Sequence, residues 1–287
     1  MTGFRHILVP VDFSERCRSV RPFVESMTQQ FRSKLTLMHV VQIPTGYYGG
    51  MDGGYEILVD VPAMEEAGKN ELNTFFEPSD RVVDKIIKVG DPASEITEFA
   101  EQNQVDLIMM PTHGYGKFRS LLLGSVTAKV LHDAKCPVWT AAHTEKPDLP
   151  KHLGCKNIMG AIDLTPASVV LITRYVELAH QFNATLRLVH AVPGASDDLQ
   201  YGLDQALPRF LLQSAREEAA RLQAKAGTNL DVCMEGGAVS KIVRAAALHH
   251  DADLVLIGRG SLHERFGQLR TNAYAIIRDA PCPVLSV

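Results

Sequence analysis

Val130-Leu131-His132-Asp133-Ala134-Lys135-Cys136-Pro137-Val138 and Ile276-Ile277-Arg278-Asp279-Ala280-Pro281-Cys282-Pro283-Val284 are two versions of one stretch. The cysteines lie 282 − 136 = 146 residues apart, about half of the 287-residue chain. A period of that size means two copies of one domain. Working outward, His6-Ile7-Leu8-Val9-Pro10-Val11-Asp12-Phe13-Ser14 matches Asn157-Ile158-Met159-Gly160-Ala161-Ile162-Asp163-Leu164-Thr165 at an offset of 157 − 6 = 151. Leu35-Thr36-Leu37-Met38-His39-Val40-Val41 matches Leu186-Arg187-Leu188-Val189-His190-Ala191-Val192, Val89-Gly90 is matched to Glu235-Gly236, and Val105-Asp106-Leu107-Ile108 matches Ala252-Asp253-Leu254-Val255. The offset shrinks because the first copy is longer in the loop after its second apolar run.

Each copy alternates short apolar runs with longer amphipathic stretches. In the first, strands are expected at Ile7–Asp12, Leu35–Val41, Val82–Lys88, Val105–Met110 and Pro137–Ala141. Helices are expected from Ser14 to about Phe31, over Pro62–Phe76 and Pro92–Asn103, and over Leu122–Ala134. The second copy repeats the strands near Asn157–Ile162, Ala184–His190, Asp231–Met234, Asp253–Ile257 and Pro283–Val287. Strand–helix alternation implies parallel pairing, because each return needs a crossover. Domain boundaries of 1–144 and 152–287 leave a linker containing Pro147 and Pro150. In an open parallel sheet the ligand crevice lies at the carboxyl ends of the strands, where the winding reverses. Strands 1 and 4 flank it if the order is 3-2-1-4-5.

A net charge of −4 argues against a general nucleic-acid binder, which needs a basic face. No signal-peptide pattern opens the chain and no apolar run approaches the roughly 18 residues of a membrane span, so the expected address is the cytoplasm. The five cysteines show no metal-ligand spacing, and Cys136 and Cys282 are expected to be buried small residues.

The stretch that carries chemistry follows strand 4: Met110-Pro111-Thr112-His113-Gly114, nine residues, then Gly124-Ser125-Val126-Thr127. Glycines let backbone approach phosphate oxygens, with positive φ where needed. A helix beginning near Gly124 directs unpaired amides and the positive end of its dipole at an anion. Ser125 and Thr127 add hydroxyl donors. Lys117 and Arg119 lie in the same loop.

Taken together, the Ile-Leu-Val-Pro-Val-Asp start, Leu-Met-His-Val, Gly-Asp-Pro-Ala, Thr-His-Gly-x9-Gly-Ser and the closing Cys-Pro-Val strand resemble the universal stress protein family, in both halves. The resemblance implies an α/β fold of two tandem Rossmann-like (adenine nucleotide alpha hydrolase-like) domains. Each is a five-stranded parallel sheet of order 3-2-1-4-5 with helices on both faces. It also implies pairing through the last strand, hence an intramolecular pseudo-dimer of the halves with Trp139 on the pairing strand, and leaves a homodimer of chains open. In one branch of the family it implies ATP in the crevice, with Mg²⁺. Carried over, Pro10 and Asp12 end strand 1 at the nucleoside, and Val40 lies on the adenine. Met110 and His113 form the wall beside the ribose and phosphates, while Gly114, Gly124, Ser125, Val126 and Thr127 form the phosphate loop. Pro111 stands where the family has its first glycine, and proline brings no N–H. In the second copy the candidates are Asp163, Gly258, Gly260, Arg270 and Thr271. Arg270 replaces the close-approach glycine and makes a nucleotide there unexpected.

Three other classes lack their signatures: there is no acidic cluster at strand 1 for a phospho-acceptor, no G-x-G-x-x-G after strand 1, and no G-x4-G-K-[ST]. His39 and His190 are expected to be imidazoles satisfied by backbone, and His249-His250-Asp251 a helix end rather than a metal site. Gly46 to Tyr55 reads as a surface loop. The reading is an ATP-binding regulator, with a nucleotide-free scaffold and a slow ATPase as alternatives.

Overall fold

A computed structural model describes residues 3–43, 60–76, 83–114, 123–142, 154–195, 206–259 and 268–287. The expected loop from Gly46 to Tyr55, Lys117, Arg119 and Gly260 lie outside these residues, as do the side chains of Arg270 and Thr271. Packing divides the chain into two units, with the break between Val138 and Trp139.

The first half runs β1 (His6–Pro10), α1 (Glu15–Ser19), α2 (Arg21–Phe31), β2 (Lys34–Val41), α3 (Val61–Thr74), β3 (Val83–Val89), α4 (Pro92–Gln102), β4 (Leu107–Met110), α5 (Ser125–Asp133) and β5 (Val138–Thr140). The second runs β6 (Asn157–Ala161), α6 (Ser168–Phe182), β7 (Thr185–Val192), α7 (Ala206–Ala226), β8 (Val232–Gly236), α8 (Val239–His249), β9 (Leu254–Ile257), α9 (Gln268–Asp279) and β10 (Val284–Ser286). Strand order is β3-β2-β1-β4-β5 in the first half and β8-β7-β6-β9-β10 in the second, so both have the expected 3-2-1-4-5 winding. Pairing of β1 with β2 and β4, and of β6 with β7 and β9, is parallel throughout. Every residue of β1, β4 and β9 is buried, as strands covered on both faces require. Edge strands β3 and β8 are only half-buried.

Three expectations need correction. The single helix expected from Ser14 is two helices that meet at Val20, because Pro22 lacks an N–H and its ring collides with the preceding turn. The second half has Thr173 at the corresponding position, and α6 runs unbroken through it. α5 starts at Ser125 rather than Leu122, since Gly124 turns out of the helix and donates its N–H to the Thr112 carbonyl at 2.9 Å. The glycine match also shifts by one. Gly90 (φ 156°) donates to the Val41 carbonyl and Gly237 (φ 143°) to the Val192 carbonyl, so Gly237, not Gly236, is Gly90's counterpart.

The repeated aspartate before strand 4 has a structural task. Asp106 Oδ2 accepts the amides of Arg5 and His6 at 2.9 and 3.0 Å, and Asp253 Oδ2 those of Lys156 and Asn157 at 2.8 and 2.9 Å. Each carboxylate ties down the start of its central strand. Asp106→Ala is expected to cost about 2 kcal/mol, the worth of hydrogen bonds to a charged acceptor. Urea unfolding should show a lower midpoint with an unchanged slope.

The expectation for the imidazoles is met in parallel in the two halves. His39 Nδ1 donates to the Val11 carbonyl at 2.7 Å and His190 Nδ1 to the Ile162 carbonyl at 2.8 Å. A carbonyl acceptor fixes the proton on Nδ1. Cys282 is buried as expected, and burial pushes its thiol up to about 12; Cys136 is only half-buried.

Candidate functional site

In the first half β1 leaves the ladder after Val11, whose amide still reaches the Met38 carbonyl at 2.8 Å. The chain then turns through Phe13 at φ 62°, a left-handed conformation unfavourable for a bulky side chain. Asp12 offsets that cost: its Oδ1 accepts the Ser14 amide at 3.0 Å and the Ser14 hydroxyl at 2.6 Å. Ser14 in turn accepts the Cys17 amide and so caps α1. Cys17, buried in that turn, gives its S–H to the Pro10 carbonyl at 3.5 Å, and burial holds the thiol at about 12.

One carboxylate oxygen of Asp12 is thereby fixed, and the other faces the end of strand 4. A Cβ added to Gly114 would stand 1.9 Å from Asp12 Oδ2. Glycine is required here by close approach alone, because neither Gly114 nor Gly124 has positive φ. Gly124 is also tight: a Cβ there would lie 3.1 Å from His113 Cα and 3.4 Å from the Thr112 carbonyl. Gly124 supplies no side-chain cap to α5. The amides of Ser125, Val126 and Thr127, the first turn, have no acceptor within their helix. Asp12 Oδ2, Gly114 and this helix start form the candidate site, at the switch point between β1 and β4.

The remaining residues divide into wall and frame. Val40 is half-buried on β2, pointing to the face opposite His39, whose ring lies tilted against that of Phe13 with centroids 4.4 Å apart. Pro10, Met110 and Pro111 are buried, and Ser125 is exposed. His113 is 6% exposed, with Nδ1 3.1 Å from the Thr112 hydroxyl. The Thr127 hydroxyl, expected as a donor to an anion, is buried and donates to the Pro111 carbonyl at 3.1 Å, fastening α5 to the end of β4.

The second half keeps the turn and changes the crevice. Asp163 Oδ1 accepts the Thr165 amide at 3.1 Å, the Thr165 hydroxyl at 2.8 Å and the Ser168 hydroxyl at 2.8 Å, with Leu164 at φ 58°. Burial would raise its pKa, but these bonds outweigh it and hold the carboxyl below the ordinary value. Its glycines make room for the protein's own side chains. A Cβ on Gly160 would lie 2.5 Å from the Tyr175 ring, and one on Gly258 2.7 Å from Leu171 Cδ2. Gly258, expected as a ligand contact, is therefore packed under α6. Arg270 and Thr271 lie inside α9, which begins three residues earlier than α5 in the internal alignment. Without a glycine at that position nothing halts the helix.

Tyr175, Ser14 and Cys17 were not read as crevice residues from sequence. Tyr175 was findable: the alignment pairs Val9 with Gly160 and Val24 with Tyr175, a small residue exchanged against a large one. The rings of His249 and His250 meet edge to face with centroids 4.7 Å apart, and His250 Nε2 lies 3.1 Å from Cys233 Sγ. Among the described residues no three metal-ligating side chains converge, and no helix is long and apolar enough to cross a membrane.

This is a tandem α/β architecture, with a parallel sheet wound 3-2-1-4-5 in each half. The chain belongs to the universal stress protein family: the model of that family matches residues 3–141 and again residues 154–287. A universal stress protein of Methanocaldococcus jannaschii is 27% identical over 146 residues, spanning 50% of this chain and 85% of its own. Universal stress protein A homolog 2 of Coxiella burnetii is 36% identical over 145 residues, spanning 48% of this chain and 94% of its own. A universal stress protein crystal structure from Archaeoglobus fulgidus shares the fold across 100% of this chain and 97% of its own, with a TM-score of 0.66 and 22% identity.

Proposed function

We propose that the first domain, residues 1–144, binds an adenine nucleotide and that the chain is a cytoplasmic, nucleotide-responsive stress regulator. The observation that carries this reading is the close approach of Gly114 to Asp12 Oδ2 at the end of strand 4, beside the start of α5, which no side chain caps. Asp12 Oδ2 suits the hydroxyls of a nucleoside, and the amides of Ser125, Val126 and Thr127 suit phosphate oxygens. Mg²⁺ accompanies ATP as the partner of its phosphates. The ligand acts by stabilising the conformation that it prefers.

Pro111 favours the scaffold reading, since the strand-end position next to the site has no amide to offer. Equilibrium dialysis of ATP·Mg²⁺ against wild type and Gly124→Arg separates the readings. The regulator reading expects saturable binding by wild type that falls at least about 100-fold in the variant, roughly 2.7 kcal/mol. No binding by wild type supports the scaffold, and steady release of phosphate supports an ATPase.

A further inference from the structure

Helix α8 ends as α4 does. The residues that close them, His250 and Asn103, have nearly the same backbone, φ −103° and ψ 14° against φ −104° and ψ 13°. Their amides donate to corresponding carbonyls, those of Ala246 and Phe99. Their side chains diverge. Asn103 Nδ2 turns back onto its own helix and donates to the Phe99 carbonyl at 3.0 Å. His250 reaches the neighbouring strand instead, where its Nε2 lies 3.1 Å from Cys233 Sγ. Cys233 is itself a departure. It pairs with Val189 in the second half as Ile86 pairs with Met38 in the first, and Met38 aligns with Val189, so Ile86 is its counterpart. The fold thus demands neither residue. The second half has an apolar side chain and a helix cap exchanged for a thiol beside an imidazole.

The pair is open to small molecules: β8 is an edge strand, and both residues are half-buried. Cys17 and Cys282 are buried by contrast, and the partner of the Cys17 S–H is a carbonyl, which accepts a hydrogen bond but not a proton. An imidazole accepts both. The titratable and charged groups around the pair, among the described residues, are Arg187 on β7, Asp231 and Glu235 on the strand of Cys233, and His249 on α8. Burial and Glu235 raise the Cys233 thiol above its ordinary value, while burial, Arg187 and His249 lower the His250 imidazole. The pair therefore rests as a thiol donating to a free base. A thiol attacks only as it loses its proton, and a base at hydrogen-bond distance removes that proton during the attack. Once deprotonated, a thiol of high pKa is the stronger nucleophile.

We propose that Cys233 is a thiol-exchange site, with His250 as its base and small-molecule disulfides as its substrate class. Cys233 Sγ attacks one sulfur of a disulfide R–S–S–R, and the S–S bond breaks. The Cys233 proton passes to His250 Nε2 and from there to the departing thiolate, giving Cys233–S–S–R and R–SH. The disulfide is the oxidant, so no other co-reactant is needed. The product has no S–H to donate, and the bond between β8 and the end of α8 is lost.

The test uses the full-length chain without nucleotide and 2-hydroxyethyl disulfide, a small uncharged probe. Acid quenching and peptide mass spectrometry follow the mixed disulfide at each cysteine. At pH 7 Cys233 is expected to react at least about tenfold faster than any other cysteine. Its rate should stay level between about pH 7 and pH 8, because the base is already free and takes the proton in the reaction itself. His250→Asn places the first half's residue on the same helix end. In that variant the rate at pH 7 should fall at least about tenfold and then climb about tenfold per pH unit, since only the ionised fraction of the thiol reacts. A Cys233 no faster than the other cysteines overturns the proposal, and so does a variant with the wild-type rate and profile. If the variant does not fold, the wild-type profile decides alone: a rate climbing about tenfold per pH unit through neutrality overturns the role of His250 and the proposal with it.

Discussion

Gly114→Val is expected to remove nucleotide binding from the first half, with affinity for ATP·Mg²⁺ at least about 100-fold weaker, roughly 2.7 kcal/mol. The cause is local. The first added carbon would stand 1.9 Å from Asp12 Oδ2, so either the carboxylate or the loop must move. Asp12 cannot yield freely, because its other oxygen is held at 3.0 and 2.6 Å by the amide and hydroxyl of Ser14, in a turn that keeps Phe13 at φ 62°. The strain therefore passes to residues 112–114 and, through the bond between Gly124 N–H and the Thr112 carbonyl, to the start of α5. Isothermal titration measures the loss. Far-ultraviolet circular dichroism should match wild type, since Gly114 lies outside the strands and helices. Undiminished affinity in a folded Gly114→Val protein would mean that the nucleotide, if bound, sits elsewhere.

The second large effect concerns stability and belongs to the other half. Gly160→Val alone forces a side chain to within 2.5 Å of the Tyr175 ring in a dense interior, at an expected cost of about 3 kcal/mol. Tyr175→Val alone empties most of a fully buried ring and orphans the Ala161 carbonyl, again costing about 3 kcal/mol or more. The double variant removes the clash and fills part of the hole. Its cost should fall short of the sum by at least about 2 kcal/mol. Urea denaturation of the four proteins closes the cycle. Strict additivity would show that the exchange of residues between the two halves is not a packing exchange.

How far these features could be seen in advance depended on how local their causes are. The strands were legible because β1, β4 and β9 are short apolar runs buried on both faces, and period and length suffice to find such runs. The break in the first helix was written in Pro22, but the amphipathic pattern on either side of it reads as one continuous stretch. The glycine of the site was visible, yet its reason was not. Gly114 is needed because a carboxylate about a hundred residues earlier in the chain comes to rest against it, which no local conformational rule contains. Thr127 shows the same limit: a hydroxyl in the first turn of a helix looks like an anion donor, but a buried carbonyl at Pro111 claims its proton. In the second half, Gly258 looked like the relic of a phosphate loop. Only the packing of Leu171 against it shows that glycine there serves the protein's own core.

The central claim is that the first half, through Asp12, Gly114 and the start of α5, holds a single adenine nucleotide. Native mass spectrometry of the intact chain with ATP and Mg²⁺ tests it most directly. The account predicts one nucleotide per chain, present in wild type and missing from Gly114→Val. Spectra that show no adduct in wild type, or the same adduct in both proteins, would contradict it.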